Sequence, residues 1–240
     1  MSCDHPGRWR KMPSCGLQYL EECIVIGYLH QYRLAMETEP RKRGRPRTFK
    51  LEEKLDRAVE VFWVNGYEDA DLDALTEAMS INRPSLYAAF GNKRSLFFQA
   101  VERYYEKFAK LDLPRPSSSK TVIIAKLKKQ LIELFFGHTS PRGCLIACTL
   151  ASQASSHDDA KDVLKELILK EEARIEGWAH EVLNDERRDG DARRFSTMLI
   201  ATLHSTAIKV SAGIPRKDIE REVDATLRYV IDVLQPASLH

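Results

Sequence analysis

Several groups of side chains in this chain could do chemistry by their type and spacing. Arg43, Arg45 and Arg47 lie in the run RKRGRPR, Arg41 to Arg47, and residues 41–50 hold six Lys or Arg and no acid. So local a surplus of positive charge suits a polyanion, because each phosphate neutralised releases counterions. Further along, the stretch NRPSLYAAFGNK brings Arg83, Pro84, Ser85, Tyr87 and Lys93 within one short segment, a guanidinium, hydroxyls and an ammonium at helical spacing. A third grouping is GHTSPRGCLIACTLASQ, residues 137–153, where Cys144 follows Arg142 in the expected first turn of a helix. Helix dipole and positive charge there favour a thiolate, so Cys144 is a candidate sensor. A buried cysteine acting as a small hydrophobe is the alternative, and it fits Cys148 better still. Four residues apart on a helix, the two sulfurs stand too far apart for an easy disulfide.

These residues need elements to hold them. From Leu51 the apolar positions Leu55, Ala58, Val59, Phe62 and Trp63 form a helical stripe that Asn65-Gly66 ends. Asp71 can cap a second helix with Leu72, Leu75, Ala78 and Met79 inward, and after a turn at Ser80-Ile81 Asn82 can cap a third. The third carries Pro84 in its first turn, where a missing amide does no harm, and buries Leu86 and Phe90. Arg83, Ser85, Tyr87 and Ala88 are left to face outward. Such a segment is about 10 Å long, short enough to lie in a major groove. Lys93 opens a long helix to about Lys110, and Pro114, Pro116 and Ser117 to Ser119 mark a surface break. Helices follow over Lys120 to Phe136, Gly143 to Ser155, Asp158 to about Arg188, Asp191 to Ala212 and Pro215 to Leu234. The predicted fold class is all-α, without internal repeats.

The stretch NGYEDADLDALTEAMSINRPSLYAAFGNKRSLF resembles the DNA-binding domain of the TetR family of transcriptional regulators, from the Gly-Tyr that ends the first helix to the Leu-Tyr-x-x-Phe-x-x-Lys segment. The resemblance implies that Tyr87 contacts a phosphate or thymine methyl and Lys93 a phosphate. It places Arg83, Pro84 and Ser85 at sequence-reading positions. Ser80 stands where the family often has glycine, a harder fit if the turn requires positive φ. Ala88 and Ala89 replace larger residues, which shifts weight to Arg83 and the basic arm. The arm itself resembles an AT-hook core, Arg43-Gly44-Arg45-Pro46, suited to a narrow minor groove.

The resemblance divides the chain into residues 1–35, an N-terminal extension that is either upstream of a start at Met36 or an extra helix; 36–50, the basic arm; 51–95, the three-helix helix-turn-helix domain; 96–118, a connecting helix and linker; and 119–240, a C-terminal helical ligand-binding and dimerisation domain. In the last, Phe195, Met198, Leu199, Thr202, Leu203 and Thr206, with Ile219, Val223, Leu227, Val230, Ile231 and Leu234, form apolar stripes for a four-helix homodimer interface or for the chain's own core. Trp178, with Phe135 and Phe136, is a candidate for lining an effector cavity.

Composition narrows the alternatives. The formal net charge is only +2, so the basic arm rather than the whole chain carries the nucleic-acid signal. Five cysteines without repeated spacing suit a reducing cytoplasm. The apolar run Cys23 to Leu29 is too short to span a bilayer, and no membrane partner is expected. No Gly-rich phosphate loop or Ser-His-Asp arrangement is legible, so an enzyme is disfavoured. No ligand spacing among Cys144, Cys148, His138, His157, His180 and His204 requires a metal, and no cofactor is expected. The expected protein is a repressor that leaves a palindromic, double-stranded operator when a small-molecule or electrophile effector acts on its helical domain. A helical interaction bundle is the rival outside enzymes.

Overall fold

In the computed structural model the residues described are 51–137, 143–183 and 189–234, and all regular structure among them is helical. The expected roles of Arg43, Arg45 and Arg47, of residues 1–35 and of His138 and Arg142 fall outside those residues.

Three of the first four helices begin where the sequence supplies an oxygen for the orphan amides of the first turn. Helix α1, Leu51–Asn65, carries Glu52 and Glu53 at its positive end and buries Ala58, Val59, Phe62 and Trp63. Asp71 caps α2, Leu72–Met79, by accepting from the Ala74 amide at 2.7 Å. Asn82 does the same for α3, Arg83–Phe90, through the Ser85 amide at 2.9 Å, and Asn92 for α4, Lys93–Tyr104, through the Ser95 amide at 2.8 Å. The turn between α2 and α3 puts Ser80 in the left-handed region at φ 49°, the only positive φ outside glycine among the described residues. Ser80 and Ile81 amides donate back to Glu77 and Thr76 carbonyls at 2.9 and 3.0 Å, which fixes the turn. Glycine is absent there, yet the turn closes as the sequence suggested.

Aromatic rings join these helices into one core. Phe62 meets Phe97 edge-on at 5.1 Å, Trp63 meets Tyr104 at 5.1 Å, and Tyr67 lies 5.0 Å from Phe97. Offset and edge contacts of this kind add to the area they bury. Helix α4 continues to the end expected near Lys110, with its last turn wound differently. It runs on as a π-helical segment, Tyr105–Ala109, that enters the second half of the molecule.

Helix α5, Lys120–Phe136, starts at the Ser119 cap and keeps the expected bounds. Helix α6 opens as a π-helical segment, Leu145–Leu150, and continues as Ala151–Ala154. Helices α7, Asp158–Leu183, α8, Asp189–Ser211, and α9, Arg216–Leu234, complete the described residues. Helix α8 lies between α7 and α9, and α9 also packs on α5. The described helices belong to one compact unit, so no break in packing separates the first four from the rest.

The apolar stripes of α8 and α9 turn out to be mostly intrachain core: Phe195, Leu199, Leu203 and Thr206, with Ile219, Val223, Leu227, Val230 and Ile231, are buried within the chain. Each helix can turn only its most apolar face inward, and that face went to its own core. What remains outside on α8 is a second, narrower stripe of Met198, Ala201, Thr202, Ser205 and Ile208, with Tyr229 exposed on α9.

Candidate functional site

The outer surface of α3 is built by its inner one. Leu86 is 0% and Phe90 3% exposed, so the register of the helix is set by these two anchors. Arg83, Pro84, Tyr87 and Ala88 then face solvent, with Tyr87 48% exposed and Ser85 half-buried. Tyr87 contributes nothing to the core, which leaves its ring and hydroxyl free for a partner. Arg83 is turned towards α2, its Nε and Nη2 both donating to Asp73 Oδ1 at 3.2 and 2.7 Å. Lys93, at the start of α4, donates from Nζ to the Glu68 carbonyl at 3.1 Å and sits 4.7 Å from the Tyr67 ring centre. The expected interface residues among those described therefore share one region around α3.

Behind this surface lies a network that sequence reasoning did not find. Arg94, next to Lys93, reaches into the second half of the molecule and donates to Asp159 at 2.8 and 2.5 Å and to Gln153 Oε1 at 2.8 Å. Gln153, at the end of α6, donates in turn to Glu68 Oε1 at 3.1 Å. The guanidinium also rests 5.0 Å from the Tyr67 ring and 4.8 Å from Phe98. Arg94 beside it holds the Asp159 carboxyl below the usual carboxylate range. Glu68 thus carries Lys93 on its carbonyl and Gln153 on its carboxylate. Partners 59 and 65 residues apart leave no local pattern by which a sequence could announce them.

Between α4, α6, α7 and α8 is a narrow cavity of about 40 Å³, room for about three waters. Its wall is mainly apolar, with Cys144, Tyr105, Glu171 and His204 as the groups able to do chemistry. Glu171 is only 6% exposed and is satisfied by the Tyr105 hydroxyl at 2.7 Å and by Arg174 at 2.9 and 2.5 Å. Burial, and then the bond to Glu171, pushes the Tyr105 hydroxyl up, so it stays a donor. Burial pushes His204 down, favouring the neutral imidazole.

Cys144, Cys148 and Trp178 are placed differently from the expectation. Cys144 is not in the first turn of α6 but is its cap, accepting from the Ala147 amide at 3.5 Å, and it is 2% exposed. Burial raises its thiol pKa, the opposite of the thiolate expected from a helix terminus. Cys148, expected to lie deeper, is instead the more exposed of the two, its sulfur 3.4 Å from the Ser211 hydroxyl. Both are free thiols. Trp178 does not line the cavity: it donates to the Pro114 carbonyl at 2.6 Å and packs against Phe195, anchoring the segment after α4. Phe135 is core, and Phe136 lies against Arg216. Gly143 has φ 113° and a Cβ there would sit 2.1 Å from the Ser211 hydroxyl, so glycine is required where the chain enters α6. Among the described residues no group of three or more His, Cys, Asp or Glu could hold a metal.

Known proteins resemble this chain in sequence and fold. The family model for bacterial regulatory proteins of the tetR family matches residues 55–100, the span from α1 through α4. A solved structure of the TetR family transcriptional regulator CifR, a cysteine mutant complexed with 26-bp double-strand operator DNA, is 30% identical, covers 77% of this chain and 98% of its own, and superposes with a TM-score of 0.65. The chain belongs to the TetR family of transcriptional regulators. Its curated relatives include the HTH-type transcriptional repressors ComR and BdcR of Escherichia coli K12. ComR is 31% identical over 128 residues, or 52% of this chain, and BdcR 28% identical over 133 residues, or 54% of it. Those matches span 61% and 66% of the two repressors. In TetR-family terms α2 and α3 form the helix-turn-helix, and the chain is a regulator rather than an enzyme. No helix among the described residues is long and apolar enough to cross a membrane.

Proposed function

We propose that the protein is a cytoplasmic, homodimeric repressor that binds a near-palindromic operator through α3 and leaves it when an effector enters and widens the narrow cavity beside Cys144. The observation that carries the reading is the division of α3 into a buried pair, Leu86 and Phe90, and an exposed polar face with Tyr87 outward and Lys93 beside it. A helix held so firmly from behind can enter a major groove without losing its own packing. Arg83, Pro84 and Ser85 lie at its leading end, Tyr87 and Lys93 address the backbone, and Arg43, Arg45 and Arg47 extend the contact to phosphates or minor groove.

Dimerisation is supported by the stripe Met198, Thr202, Ser205 and Ile208 left outside on α8, beside Tyr229 on α9. Two heads presented about one DNA turn apart make a palindrome the natural target. Release by effector is supported by the route from cavity to surface. Cys144 and Ile146, at the start of α6, line the cavity, Gln153 lies in its last turn, and Gln153 holds both Arg94 and Glu68. Coupling of about 1.4 kcal/mol suffices for a tenfold loss of operator affinity. The buried, upshifted thiol favours a small non-covalent ligand over direct alkylation of Cys144.

The test is a gel shift on the protein's own upstream intergenic DNA against a scrambled duplex, with and without a thiol-reactive electrophile. A specific shift insensitive to the electrophile supports the non-covalent reading. A shift released by the electrophile in the wild type and retained in Cys144→Ser makes the thiol the trigger instead. Equal binding to both duplexes sinks the operator reading.

A further inference from the structure

Arg83 is the first residue of α3 and the exposed cation nearest its leading end, but it is not free. Asp73, ten residues earlier in the first turn of α2, accepts from both Nε and Nη2 on a single oxygen. An acid on the face that meets DNA is costly in itself, since it repels phosphate, and the pair is exposed on both sides, 54% and 78%, so it adds little to folding. We infer that Asp73 is a positioning residue that fixes Arg83 to read a guanine in each operator half-site. This rests on the operator-binding reading above.

Hydrogen-bond edges decide what Arg83 can read. A guanidinium has five N–H groups. Asp73 takes the side edge, Nε and one Nη2 hydrogen, and locks the plane of the group. The end edge, Nη1 and the second Nη2 hydrogen, is left as two parallel donors. In the major groove only guanine offers two acceptors on one edge, O6 and N7, whereas adenine pairs an acceptor with a donor and thymine offers one acceptor beside a methyl group. Neutralised by Asp73, the group is also a poorer phosphate ligand than a free arginine, which turns it from the backbone to the base. Ser85, half-buried and with its amide given to Asn82, leaves Arg83 as the longest polar side chain of the α3 face.

The experiment is a selection from a randomised duplex library with the full-length protein, followed by binding measurements on the enriched site and on its single-base variants. The wild type is expected to require guanine at one position per half-site, with roughly tenfold or greater loss on replacing it by adenine. Arg83→Ala should abolish that preference and no other. Asp73→Ala should reduce the preference while raising affinity for unrelated duplex, and Asp73→Asn, which keeps an acceptor oxygen, should retain most of it. A merely structural acid in α2 would alter melting without touching base preference. Retention of full guanine preference in Asp73→Ala overturns the inference. So does a uniform loss across all sequences in Arg83→Ala, with a salt dependence smaller by about one phosphate. A library from which the wild type enriches nothing removes the operator-binding reading itself, and an enriched site without an Arg83-dependent guanine removes only this inference.

Discussion

The two halves of the molecule are held by different kinds of polar contact. In residues 71–95 each helix start is closed by a bond that spans three residues: Asp71 to Ala74, Asn82 to Ser85 and Asn92 to Ser95. From Tyr105 onward they cross the chain, as Tyr105 does to Glu171 over 66 residues, Trp178 to Pro114 over 64 and Lys128 to Asp224 over 96. A region closed by its own caps keeps its shape when its surroundings shift. One closed by distant partners changes shape when any of them is displaced. The first suits a rigid reading head and the second a responsive body, and Arg94 is one of the contacts that fasten them together.

The contrast can be broken most severely from within the body. Glu171→Ala leaves Arg174 and the Tyr105 hydroxyl without their buried acceptor and should cost about 2 kcal/mol in thermal or urea unfolding, discounted for the partial exposure of Arg174. Glu171→Gln, which still accepts from Tyr105, should cost less. In the head, Tyr87→Ala should weaken operator binding about tenfold while leaving the unfolding midpoint in place. Lys93→Ala should weaken binding on every sequence alike and lower the salt slope by about one. An unfolding midpoint that falls in Tyr87→Ala would mean that the ring is core after all.

The fastening itself gives a pH test. The Asp159 pKa is depressed in the folded protein by Arg94, so its contribution is present above the unfolded carboxylate pKa and is lost as pH falls through the folded one. The stability gap between wild type and Asp159→Asn should therefore be open at pH 7 and close as pH falls below the usual carboxylate range. Arg94→Ala should also leave operator binding nearly intact while blunting its release by effector. The smallest effect is expected at the turn: Ser80→Gly relieves a left-handed residue and loosens the unfolded chain in return, a net gain below about 1 kcal/mol by calorimetry.

The same contrast decides what could be read in advance. Asp71, Asn82, the Ser80 turn and the bounds of α5 are visible because cap, turn and apolar period all lie within a few residues. Leu86 and Phe90 are visible by their spacing. The burial of Cys144 is not, because it depends on Tyr105, Leu167 and Leu203 closing the cavity from three other helices. Trp178 looked like a cavity residue since its partner, the Pro114 carbonyl, carries no sequence signature. Asp73 had a faint one: an acid at the start of a helix that must approach DNA asks for a cation nearby. Neither π-helical segment has a sequence signature, as its apolar pattern differs from that of an α-helix by a single residue.

Those two segments, Tyr105–Ala109 and Leu145–Leu150, flank the cavity on separate helices. A π turn takes up one residue more than an α turn, and that residue is slack in an otherwise taut rod. Were the slack in Leu145–Leu150 drawn out, everything beyond it on α6 would advance by about 1.5 Å and swing by about 100°. Gln153 stands at the far end, so its grip on Arg94 and Glu68 depends on the winding of α6.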